Sequence, residues 1–363
     1  MRQKIPILCL TVLGSFSSHV ASEDFSAAGA PFLMIYSGAR QVGMAGAFCA
    51  IADDAMATYY NSAGIAFQTA VDVNVEYARW LKSLYPDMFW LSGYGVIPLG
   101  RRWALAPAVT YLTTGEAEGT DPYGTRIARW RTWNLVAGMY CGVRVSDYFG
   151  VGVGVKYIHS YFAPDWLVAQ LFNRRGGGAG KSLAVDTGIL GRFPLPLHLG
   201  RIGLGMTLQN IGPSISYIEG GASDPLPSAL RMGISYTLTL RDVVEALGRS
   251  SESPASDSDW LRAWFLDESR ICVALDRCAP TSDMFGDSWR SLGFELAPFP
   301  VFAFRFGHFE DTMGHRSGWT WGWGVDFKFV RFDLASDSNI YEFRTSNQRY
   351  TWALNIGTPV LSR

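Results

Sequence analysis

The glycine-rich stretch RGGGAGKS at residues 175–182 raises the first chemical question of this 363-residue chain. Glycines followed by Lys and Ser suit a loop whose backbone N–H groups wrap nucleotide phosphates, the lysine reaching phosphate and the serine magnesium. That chemistry needs a glycine where Arg175 stands and a helix after the serine. The chain instead runs on as SLAVDTGIL, a strand pattern, so a glycine-rich surface loop is the better account. GVGVGVK at residues 150–156 likewise lacks the spacing of a dinucleotide-binding turn. His159, His198, His308 and His315 are scattered over strands and loops, and nothing in their spacing pairs them with the serine or carboxylate a hydrolase needs. Cys49, Cys141, Cys272 and Cys278 match no zinc pattern. Six extended residues span about 20 Å, so a bridge between Cys272 and Cys278 needs a turn; a disulfide and two free thiols fit equally. The sequence therefore points to no catalytic residue, no metal site and no cofactor, and to a protein that is not an enzyme.

The elements that carry these residues alternate. In SGWTWGWGVDFKF, residues 317–329, Trp319, Trp321 and Trp323 share one face while Thr320, Gly322 and Gly324 share the other. VDVNVEY at 71–77, LRMGISYTLTL at 230–240 and the last segment, Tyr350 to Gly357, repeat the pattern. Counting such segments gives about fourteen strands, many near the ten residues that a tilted membrane strand needs. Short connections near 99–102, 146–148, 298–300 and 328–330 alternate with longer ones at 114–130, 161–180, 212–226, 277–287, 310–316 and 337–346. Short turns at one end and long loops at the other are the habit of outer-membrane barrels. The second face is mostly Gly, Ala, Ser and Thr with one or two charges per strand. That suits a crowded lumen with lipid outside better than a sandwich with water on both sides.

Composition agrees. The chain is 48% hydrophobic and 14% aromatic, with 39 Gly, 13 Trp and a net charge of -1. No internal run is long enough for a transmembrane helix, and a near-neutral balance argues against a nucleic-acid partner. Residues 1–22 read as a cleaved signal peptide: Arg2 and Lys4, an apolar stretch from Ile5 to Phe16, and cleavage after Ser22. Residues 241–268 break the loop rule. They fall at a short-turn end yet hold RDVVEALGR, a Ser-rich stretch, and WLRAWFLDE with Trp260, Leu261, Trp264 and Phe265 at helical spacing. An interfacial helix pair and a docking surface for a periplasmic partner both fit this insert.

Between signal and first strand lies SGARQVGMAGAFCAIADDAMATYYNSAGIA, residues 37–66. Gly38, Ala39, Gly43, Ala45, Gly46 and Ala47 allow close backbone approach. Asp53 or Asp54 is placed to cap a short helix over AMATYY, and Asn61 and Gly64 suit its exit. A plug and a packed N-terminal extension both have this look. The stretch resembles the N-terminal signature of the FadL-like outer-membrane barrels, especially their PorV/PorQ branch, in which Gly-Ala-Arg, a Gly-Met-Gly-Gly-Ala-Phe-like run, Asp-Asp-Ala and Asn-Pro-Ala-Gly occur in order. It is also similar to FadL-like paralogues of spirochaetes. Here Asn61-Ser62-Ala63 replaces Asn-Pro-Ala, and Ala45 replaces the second glycine. The chain also ends in Ser362-Arg363 rather than an aromatic, which places the expected assembly signal at Tyr350 to Ile356.

The resemblance implies an all-β fold: a fourteen-stranded antiparallel transmembrane β-barrel, residues 69–357, in the outer membrane, with a hatch of residues 24–68 in its lumen. It implies passive uptake of long-chain fatty acids or other hydrophobic small molecules, delivered into outer-membrane lipid. The alternative is a PorV-like barrel that binds secreted cargo or a secretion partner through 241–268. Hatch residues Gly43, Gly46, Asp53, Asp54, Asn61, Ala63 and Gly64 would hold the closed state. Pro107, inside WALAPAVTY, cannot donate its ladder hydrogen bond; a kinked lateral exit and a plain bulge both fit it.

Overall fold

The computed structural model describes residues 29–83, 85–120, 123–172, 177–248, 259–281, 288–311, 315–340, 345 and 347–356. The signal-peptide reading of residues 1–22 therefore lies outside the described residues, as do 24–28 and 357. Strands β1 (Val71–Arg79), β2 (Phe89–Leu99), β3 (Trp103–Thr120), β4 (Arg126–Arg144), β5 (Phe149–Tyr161), β6 (Ala179–Pro194) and β7 (Arg201–Ile211) succeed one another in the wall. A small pair, β8 (Ile215–Ser216) and β9 (Ser223–Asp224), lies in the next loop. The wall resumes with β10 (Ala229–Thr239), β11 (Arg270–Pro280), β12 (Trp289–Phe299), β13 (Phe302–Asp311), β14 (Arg316–Asp326), β15 (Val330–Ser336) and β16 (Gln348–Ile356). Each wall strand pairs antiparallel with its neighbours, and β1 closes on β16 from Val71↔Ile356 to Arg79↔Gln348. This is a closed fourteen-stranded barrel, so no edge is left for hydrocarbon to meet unpaired.

Alternation sets what faces where. Trp319 and Trp321 are 62% and 40% exposed while Thr320 and Gly322 are buried, so the tryptophan ladder points out of the barrel. Val73, Val75, Leu105, Val109, Leu204, Ile234 and Phe306 join it in an exposed apolar belt, the surface a bilayer covers. At the long-loop end an aromatic row crosses the wall through Tyr77, Phe89, Tyr111, Trp133 and Tyr161, with ring centroids 5.7–6.5 Å apart. Such girdles sit at membrane interfaces. Among the described residues no helix is long and apolar enough to cross a membrane.

One reading of the sequence is corrected and one open alternative is decided. The expected loop at 114–130 is mostly strand: β3 and β4 continue past the girdle as a protruding hairpin, with a register shift between Thr113 and Gly115. Glu116 and Glu118 face Arg126, Arg129 and Arg131 across it, and such opposite-charge pairs hold polar strands together in water. Cys272 and Cys278 lie on the same buried face of the continuous strand β11 with no turn between them, and both thiols are free.

Candidate functional site

Residues 29–67 lie inside the barrel with little regular structure: α1 (Ala39–Gly43), α2 (Ala57–Tyr60) and short 3-10 turns. Such a chain leaves backbone donors unpaired, and inward side chains of the wall take them. Gly38 N donates to Glu76 at 2.8 Å, Ala39 N to the Thr351 hydroxyl at 2.8 Å and Ala45 N to the Thr320 hydroxyl at 3.1 Å. Phe48 N and Cys49 N both donate to one Asp276 oxygen, and Ala55 N to Asp72 at 2.7 Å. Backbone meets backbone where the wall has no side chain. Gly142, Gly152 and Gly188 are register partners on β4, β5 and β6, as are Gly205 and Gly233, and Gly293 and Gly307. A Cβ at Gly152, Gly188, Gly205, Gly293 or Gly307 would overlap residues 44–49 or 61–63, and at Gly142 it would overlap Ile65 and Ala66; at Gly233 it would strike the Asp276 carboxylate and press on Cys49 and Ala50. The glycine-rich second face read from the sequence is thus the bed of this segment.

The predicted residues take specific places. Gly43 packs where a Cβ would stand 3.3 Å from Gly322 Cα, and Gly46 turns with φ +79° beside the Tyr36 ring. Asn61 donates to the carbonyls of Cys49 and Ile189, both at 2.9 Å, and accepts from Ala63 N, tying segment to wall. Ala63 is fully buried. Gly64 is not a helix exit: it lies within a 3-10 turn where a Cβ would strike the Ala52 carbonyl. Neither aspartate caps α2, whose N-cap is Met56 without a side-chain bond. Among the described residues the one backbone N–H that Asp54 accepts is that of Met56, two residues on. Its main partners are Arg40, Gln41 and Arg331, at 2.9–3.2 Å.

That difference exposes the part of the site the sequence reading missed. Arg40, buried on α1, holds Asp53 at 2.6 Å, Asp54 at 3.2 Å and the wall's Glu295 at 2.8 Å. Glu295 also takes Arg270 at 3.0 Å and Arg305 at 2.7 Å; Arg305 and Arg331 share Asp333. Burial alone would resist ionisation of Asp53, but the Arg40 guanidinium outweighs it and holds the carboxyl well below the usual range. The available signal was one or two inward charges per strand; their partners, up to 277 residues apart, carry no spacing.

Elsewhere a small apolar pocket of about 30 Å³ lies between Phe32, Leu33 and Tyr59 of the segment and residues of β2 to β6. Leu33 and Tyr59 line it from the segment; Tyr94, Ala108 and Val109 line it from the wall, and Lys156 paired with Asp186 at 2.7 Å closes it. Pro107 is one residue from Ala108 and faces outward. Beside it the β2–β3 ladder skips from Tyr94↔Ala108 to Ile97↔Leu105, while the pairing with β4 runs through Pro107↔Met139. Register is the same on both sides of the gap, so the proline interrupts hydrogen bonding without a bulge; the β3 bulge lies at Thr114. Helix α3 (Asp165–Phe172) lies in the β5–β6 connection; at the short-turn end a polar cavity of about 790 Å³ lies below the segment and beside the insert helices α4 (Leu240–Ala246) and α5 (Asp259–Glu268). No metal-ligand cluster occurs among the described residues.

None of the curated proteins matches the sequence. Among solved structures, the barrel is similar to the P. putida toluene transporter TodX, with TM-score 0.51 and 12% identity, over 89% of this chain and 99% of that one. A Pseudomonas aeruginosa FadL homologue gives TM-score 0.42 and 11% identity over 88% and 98%. The monoaromatic hydrocarbon channel CymD gives TM-score 0.47 and 14% over 88% and 96%. At these identities the likeness is one of fold alone. The sequence model of Type IX secretion system protein PorV matches residues 19–249, more than half of the chain, and the protein belongs to the PorV family.

Proposed function

We propose that this barrel takes up hydrophobic small molecules, of the size and character of long-chain fatty acids, and passes them sideways into the outer membrane. The observation that carries the reading is the apolar pocket bounded by Leu33, Tyr59 and Ala108, set against the ladder gap at Pro107. Residues 24–68 act as the hatch. Their contacts divide the work: the glycine bed and the Arg40 ion pairs anchor the segment on β4 to β15, so movement is easiest where Phe32, Leu33 and Tyr59 face β2 and β3 through apolar contacts alone. A ligand entering between them displaces side chains rather than ion pairs, and leaves past Val109 where two backbone pairs are missing. No catalytic step is involved. Binding of a fluorescent long-chain fatty acid to the purified barrel tests this: Ala108→Trp, which fills the pocket, is expected to weaken binding at least about tenfold. Undiminished binding contradicts it.

A second reading, docking of secreted cargo or a secretion partner, is favoured by the family match and by the insert, whose helices expose Val243, Leu261 and Phe265 beside Leu247. It predicts that removing 241–268 abolishes a protein complex and spares fatty-acid binding.

A further inference from the structure

The polar cavity at the short-turn end is within the roughly 300–1,000 Å³ range of small-molecule sites. Its arginines are not equivalent. Arg40, Arg270 and Arg331 in its lining each sit against a carboxylate, as do the luminal Arg231, Arg305 and Arg349. Arg192 on β6 and Arg201 on the adjacent β7 line the cavity too, and neither has a carboxylate partner among the described residues. Arg192 is fixed in another way. Its Nη2 donates to the carbonyls of Ile51 at 2.7 Å and Ala52 at 3.1 Å, and its guanidinium lies 4.6 Å from the centre of the Phe67 ring. Arg144 lies 5.7 Å from the same ring. Among the described residues Arg192 Nε and Nη1 take no protein partner. Asp53, the acid of the lining that acts most on Arg192, is already held by Arg40.

We propose that Arg192 and Arg201 form an anion-binding site at the periplasmic mouth, taking the carboxylate or phosphate group of a small ligand. A positioned guanidinium presents paired N–H donors that match either group. The site lies away from the pocket at β2–β3 and stands independently of the uptake reading. Because one guanidinium serves both the anion and the Ile51 and Ala52 carbonyls, occupancy restrains the adjoining segment, and a ligand that binds only this arrangement stabilises it.

The native Cys49 thiol, fully buried two residues before Ile51, reports that restraint. The full barrel in neutral detergent is treated with a maleimide in inorganic phosphate or in chloride at equal ionic strength, and modification at each cysteine is read by peptide mass spectrometry. Parallel samples carry dihexanoyl phosphatidic acid, which separates a lipid headgroup from a free anion as the source. Either probe is expected to slow Cys49 modification about threefold at twice its dissociation constant. The effect disappears in Arg192→Gln and weakens in Arg201→Gln. Arg201 is exposed and has no side-chain hydrogen bond or ion pair to lose among the described residues, so that variant decides the matter if Arg192→Gln does not fold. No slowing by either probe, or slowing that survives both substitutions, overturns the site.

Discussion

Arg40 is shared by two acids of its own segment and one of the wall, and a buried charge shared in this way punishes removal more than it rewards presence. Arg40→Leu leaves Glu295 with fewer partners and Asp53 with none of its short contacts. The expected loss is about 3–5 kcal/mol, read from the urea midpoint of the detergent-solubilised barrel. The pH dependence has a definite sign. Asp53 titrates lower folded than unfolded, so its contribution is complete above the ordinary carboxylate range near pH 4 and is lost only as pH falls through the lower folded value. Cys49 modification should therefore be no more extensive at pH 5 than at pH 7, after correction for the thiolate fraction, and opening at pH 5 would contradict the assigned pair. Gly64→Ala, forced against the Ala52 carbonyl, should cost about 1–3 kcal/mol, whereas Gly43→Ala meets only 3.2–3.3 Å contacts and should cost less. The sequence singled out Asp53, Asp54, Asn61 and both glycines, yet assigned the aspartates to a local cap. Short-range capping is the only partnership visible without a fold; Arg40 sits in the same stretch of chain, but Glu295 and Arg331 reach it only after the barrel closes.

The period-2 pattern marked every wall strand because each must satisfy lipid on one face and the N-terminal segment on the other. It failed where that constraint ends. Beyond the girdle of Tyr111 and Trp133 the β3–β4 hairpin stands in water, so Glu116, Glu118, Arg129 and Arg131 read as loop although cross-strand charge pairs keep them in strand. Replacing residues 116–129 with a short turn should therefore leave the barrel assembled, as shown by the faster migration of unheated samples on detergent gels; failure to assemble would mean that the hairpin carries folding information. The insert was legible as two helices because its flanks keep helical spacing; the structure adds a capping box of Thr239 with Asp242 at the start of α4. What the helices meet was not, since an amphipathic face does not name its partner.

For the molecule as a whole, the lumen is packed on most of its circumference and loosely filled on one side. The glycine bed and ion pairs occupy β4 to β7 and β10 to β15, while mostly apolar side chains, with the Ser37–Ser92 hydrogen bond beside them, lie between the segment and β2 and β3 near Pro107. A passage along the barrel axis would have to break many buried polar contacts; one toward β3 breaks few. Restoring a donor with Pro107→Ala should close the ladder gap and slow ligand release while leaving affinity unchanged, measured by dilution of a preloaded fluorescent fatty acid. The most direct measurement is mass spectrometry of organic extracts from the barrel purified in mild detergent, beside an unrelated barrel prepared identically. The expected result is a fatty acid or similar hydrophobic molecule at near-stoichiometric level over the control. Extracts indistinguishable from the control, with a protein partner co-purifying instead, would contradict uptake and leave docking as the function.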